Sequence, residues 1–95
     1  MPRFHLHIRT AGGLIEDEEG IEFSDHAAAI AEAVRGARSL MIGEVTEGTL
    51  CFDQSIEIHD AAGQHLNSVP FSDAVRLVAA SEPVRQAGIA DRTRL

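Results

Sequence analysis

The sequence predicts an α+β fold in the order ββαββ(α): an antiparallel sheet with one long helix packed across one face, followed by a short second helix. Three observations lead there. Residues 3–9 and 55–59 alternate apolar and polar side chains with the period of a half-buried strand. Between them, from residue 27 to 45, apolar residues recur at helical spacing. The extended segments are joined within each pair by short turns, the connections of antiparallel neighbours, which need no long crossover.

In chain order, Phe4, Leu6 and Ile8 point to one side of the first strand, and Arg3, His5, His7 and Arg9 to the other. Gly12-Gly13 supplies the permissive backbone of a turn. Leu14-Ile15 begins a second extended segment, which Ile21-Glu22-Phe23 resumes. The intervening Glu16-Asp17-Glu18-Glu19-Gly20 is expected as a solvated turn or bulge, because consecutive carboxylates repel one another. It lacks the alternate ligand spacing of a calcium loop.

Ser24 or Asp25 is placed to cap the helix, whose expected buried stripe is Ala27, Ile30, Ala31, Val34, Ala37, Met41 and Val45. Gly48 is its stop. Gly36 and Gly43 weaken it, each by about 1 kcal/mol against Ala. In the next strand Ile56 and Ile58 face inward, and Ser55, Glu57 and His59 outward. Residues 60–64 read as a hairpin loop, and 65–69 as the return strand. Leu66 and Val69 share a face only if a bulge intervenes. Phe71-Ser72-Asp73 repeats Phe23-Ser24-Asp25 and is expected to start the second helix, with Ala74, Val75, Leu77 and Val78. Residues 1–80 are expected as a single domain, and 81–95 as a loosely held polar tail.

At this point the chain resembles a small bacterial family catalogued only as a domain of unknown function. The resemblance rests on Pro2-Arg3-Phe4, Leu6-His7-Ile8-Arg9, Asp17-Glu18-Glu19-Gly20, the Ala-rich stretch 27–37, Ile56-Glu57-Ile58, Asp60, Gly63 and Val69-Pro70-Phe71. It spans about residues 2–75 and departs at His5, where an aromatic is usual, and at Ser24, where a Pro is common. It implies a fold and a class, with no activity attached.

Composition excludes some function classes. Fifteen acidic residues against eight basic ones, all Arg, give a net charge of −7. Non-specific binding to nucleic acid or to an anionic membrane needs the opposite field. Cys51 is alone, so neither an internal disulfide nor a cysteine-based zinc site is available, and it is expected to be buried. No leader-like block and no run of about 20 apolar residues occurs, so a cytoplasmic location is expected.

The chemistry-bearing residues gather on the outward side of the sheet. Arg3, His5, His7, Arg9, Glu57 and His59 mix both charge signs, and such a face can be self-complementary across a two-fold axis. The first expectation is therefore a non-enzymatic protein-interaction module forming a homodimer, with no cofactor; an unidentified protein partner is a further possibility. A second is a histidine-based metal-binding protein or small metal-dependent enzyme. His5, His7, His59 and His65 would converge as candidate ligands if the first strand neighbours residues 55–59. A third is a protein that masks a basic partner, since the acidic strand pair and Ala-rich helix are similar to the small antitoxin fold that pairs with an RNA-cleaving toxin. The Leu-Pro-Gly-Cys of that fold is missing. Ser24 with His26 and Ser55 with His59 lack a strained nucleophile turn and an oxyanion site, so catalysis is not expected.

Overall fold

The computed structural model describes residues 1–78. The sheet is antiparallel throughout. Strand β1 (Arg3–Thr10) pairs on one side with both β2 (Gly13–Ile15) and β3 (Ile21–Glu22). On its other side β1 pairs with β4 (Ser55–Asp60), which pairs with β5 (His65–Pro70). Helix α1 (His26–Thr46) lies against β4 and β5. The α+β expectation is thus met, with one change. The second extended segment is two short strands on the same edge of β1, separated by residues 16–20.

The helix starts at Asp25, whose side-chain carboxylate accepts a hydrogen bond from the Ala28 N–H at 2.9 Å. Asp25→Ala is expected to cost about 1 kcal/mol in a urea titration, whereas Ser24→Ala is expected to leave the midpoint unchanged. The helix ends in a Schellman motif. Gly48, at φ +93°, donates to Val45 O, and Thr49 donates to Glu44 O.

The buried stripe differs from the expected one. Ala29, Ala33, Ala37 and Met41 are buried, with Ile30 and Val34 flanking them, while Ala27 and Ala31 are exposed and Val45 is 58% exposed. The small alanines mark the line of closest approach to Ile56, Ile58 and Val69, and the bulkier Ile30 and Val34 fill its margin. Val45 is exposed because the helix outruns the sheet. Twenty-one residues span ~31 Å along a helix axis, against ~20 Å for the six residues of β4.

Two further expectations are corrected. Phe71–Asp73 is a single 3-10 turn, and no second α-helix occurs among the described residues. Phe71 itself plugs the core, and Pro70 offers no capping side chain. Cys51 is exposed, in the connection that precedes β4. The bulge forms as expected: Ile58 faces Asn67 while His59 faces His65, leaving Leu66 as the extra residue. The expected tail, 81–95, lies outside the described residues. No helix among those described is long and apolar enough to cross a membrane.

Candidate functional site: the histidine face of the sheet

Strand alternation places the functional side chains. With the even-numbered residues of β1 against the helix, the odd-numbered ones face away. The β1–β4 register then sets His5 opposite His59 and His7 opposite Glu57. His59 faces His65 across the hairpin. The result is a run of imidazoles. Ring centroids lie 6.0 Å apart for His5–His7, 4.5 Å for His7–His59 and 5.4 Å for His59–His65. Arg9 and Glu57 continue the same face, with Arg9 Nε donating to Glu57 at 2.8 Å. Arg3, at the other end, reaches the Glu19 and Gly20 carbonyls and pairs with Glu22 at 3.5 Å. Arg3, His5, His7, Arg9, Glu57 and His59 thus lie on one side of the sheet.

The acidic segment is more than a solvated turn. Its five residues stand opposite only three of β1, so the ladder breaks, and Asp17 repairs the break. Its carboxylate accepts from the Leu6 N–H at 3.2 Å and the Gly20 N–H at 3.1 Å. Its own N–H donates to His7 Nδ1 at 2.9 Å, and its carbonyl accepts from His5 Nδ1 at 2.7 Å. Gly20 closes the segment at φ +73°, where an added Cβ would stand 2.8 Å from the Phe4 carbonyl oxygen. The role of Asp17 escaped the sequence because nothing distinguishes it from three neighbouring carboxylates. Only the register, which sets 16–20 against residues 5–7, singles it out.

These bonds set the role of Nδ1 in His5 and His7. His5 donates from Nδ1 to a carbonyl, leaving a lone pair on Nε2. His7 accepts at Nδ1, so its neutral ring carries the proton on Nε2. His59 faces the Gly63 carbonyl at Nδ1 and the Glu57 carboxylate at Nε2, both at 3.2 Å. His65 Nε2 shares a hydrogen bond with the Ser68 hydroxyl at 2.8 Å. The candidate ligands do come together, but His7 Nδ1 and both ring nitrogens of His59 are already engaged by hydrogen-bond partners. Among the described residues no group of three or more His, Cys, Asp or Glu is placed to hold a metal ion.

Electrostatics follow the same contacts. The hydrogen bond from Arg9 holds the Glu57 carboxyl below its usual range, with a smaller contribution from His59. Burial pushes the His7 imidazole down, and the neighbouring His59 and His5 add to this, against opposing Glu16 and Asp17. Both groups bind protons less readily in the fold than in the unfolded chain, so both favour the native state at higher pH. The His7 contribution is complete above the ordinary imidazole value and fades as pH falls below it; that of Glu57 fades only in the carboxylate range.

A shallow basin of about 290 Å³ opens on this face, lined by His5, His7, Glu16, Glu18, His59 and Asp60. A larger apolar groove of about 410 Å³ lies elsewhere, where α1 outruns the sheet. Its walls are pinned: Arg38 donates to Ala74 O at 2.6 Å, and the Glu44 carboxylate holds the Cys51 N–H and the Gln54 amide. In the sequence the groove is visible only as an apolar excess at the end of the helix.

A family model described as a domain of unknown function, DUF6894, matches residues 3–72, a span that includes the whole sheet and its histidine face. No curated protein and no solved structure matches the chain.

Proposed function

The chain belongs to the DUF6894 family, and from that premise, which brings no chemistry with it, we propose that it is a non-enzymatic protein-interaction module that forms a homodimer through the groove at the end of α1. The exposed apolar wall of that groove carries the reading. Ile42 is 67% exposed, Val45 58% and Leu77 76%, and Leu50 and Val75 continue the surface. Contiguous apolar patches beyond a few hundred Å² are rare on monomeric proteins. A second copy offers the same apolar surface in return, as a two-fold contact requires.

The histidine face supplies the rival surface. It is open and of mixed charge, but Arg9 is bonded to Glu57 and the acidic segment to His5 and His7 within one chain. Light scattering separates the two. The expected particle has twice the 10.2 kDa chain mass. Ile42→Glu would place an unpaired carboxylate in the contact and is expected to weaken the dimer about a hundredfold or more. Arg9→Glu is expected to leave it intact. The opposite pattern would assign the contact to the histidine face, and a monomeric wild type would remove the reading.

A further inference from the structure

We infer that residues 16–20 form a proton-operated latch on the edge of β1, closed when His7 is neutral and released when its Nδ1 is protonated. The inference follows from the direction of the hydrogen bonds and is independent of the groove. Of the four histidines on the face, only His7 accepts a backbone N–H, that of Asp17. His5 and His59 donate to their carbonyl and carboxylate partners, so protonation breaks none of those bonds. The Ser68 hydroxyl beside His65 rotates to suit either role. A proton on His7 Nδ1 sets two donors against each other across 2.9 Å.

Asp17 cannot turn its carboxylate to the new charge without cost, because both oxygens are engaged by Leu6 and Gly20. Releasing Asp17 therefore frees three backbone N–H groups together: its own and those two. The groups facing His7 from each neighbouring element are His5 on β1, Glu57 and His59 on β4, and Glu16 and Asp17 in the latch. The imidazoles disfavour the proton and Glu16 and Asp17 favour it, while Glu57 is taken up by Arg9 and His59. Burial adds to the side of the imidazoles, which agrees with a closed latch at neutral pH.

Amide hydrogen exchange read by NMR, corrected for intrinsic rates, tests this. Protection of Leu6, Asp17 and Gly20 is expected to fall in concert as pH drops from about 7 to 5, approaching tenfold per pH unit once His7 titrates. Ile58, in the middle of the sheet, should keep its protection. In His7→Asn the amide oxygen replaces Nδ1 as acceptor at every pH, so protection at the three sites should become independent of pH. Unchanged wild-type protection at pH 5 would overturn the latch, and so would a His7→Asn variant that loses protection as the wild type does. Long-range 1H–15N spectra of the wild type add a reading that needs no variant. A neutral His7 protonated on Nε2 is expected, and one protonated on Nδ1 overturns the proposal.

Discussion

Phe71→Ala is expected to remove roughly 3–5 kcal/mol of stability. Phe71 has no exposed surface and is, with Ile58, one of the two largest fully buried side chains. It sits where the chain leaves the sheet, its N–H bonded to Gln54 O, and its ring belongs to the cluster that joins Ala33, Ala37 and Met41 to Ile56, Ile58 and Val69. The surrounding groups come from both helix and sheet, which leaves little room to collapse into the void. Small domains hold about 5–15 kcal/mol in all, so this change would consume much of the total. A urea titration should show the midpoint lowered by ~2 M at an unchanged slope. Val78→Ala, at a position 72% exposed and outside the groove lining, should change stability by less than ~0.5 kcal/mol. A Phe71→Ala loss no larger than that of Val78→Ala would mean that the ring is not part of the core.

Gly20→Ala is expected to be the most damaging single methyl addition in the latch. At φ +73° any L side chain is strained, by about 1–2 kcal/mol. The added Cβ would also stand 2.8 Å from the Phe4 carbonyl oxygen and 2.9 Å from His5 Cε1. The first of these is backbone within a paired strand and cannot swing aside. Together the two effects are expected to cost about 2–4 kcal/mol, or to force the latch off the edge. Gly63→Ala provides the control, since its φ is +87° but nothing lies within 4 Å of the new methyl. Thermal unfolding of the two variants should differ by the steric part alone. Equal losses would show that the close approach at Gly20 carries no weight.

Much of this architecture is legible in the sequence, and the exceptions have physical causes. The period-2 pattern of residues 3–9 identifies both β1 and its outward face, because a single-residue slip would expose Phe4, Leu6 and Ile8 together. The parity clash between Leu66 and Val69 announces the bulge. The helix stripe came out rotated because hydrophobicity favours Ile30 and Val34, whereas close packing favours Ala29 and Ala33, which are small enough for the helix to approach the sheet. The repeated Phe-Ser-Asp triplet misleads for a similar reason. Asp25 caps a helix that a sheet supports, whereas after Phe71 the chain has already used its aromatic ring to close the core and the turn goes no further. At the candidate site, the convergence of His5, His7 and His59 follows from alternation once β1 and β4 are neighbours. The clasp of Asp17 does not, because it depends on the pairing of two short strands whose register no local pattern specifies.

The division of one sheet edge into three-residue and two-residue pieces also bears on how this chain avoids its own copies. A long bare strand is a template on which other chains can extend a sheet into fibres. A molecule approaching along this side meets β2 and β3 separated by a knob of carboxylates, so no continuous row of amide groups is offered. The opposite boundary, β5, is bulged at Leu66 and ends at Pro70, which has no N–H to give. The acidic knob therefore guards against edge-to-edge stacking, and a chain whose knob has swung away would carry a fibre-forming hazard that the closed one does not.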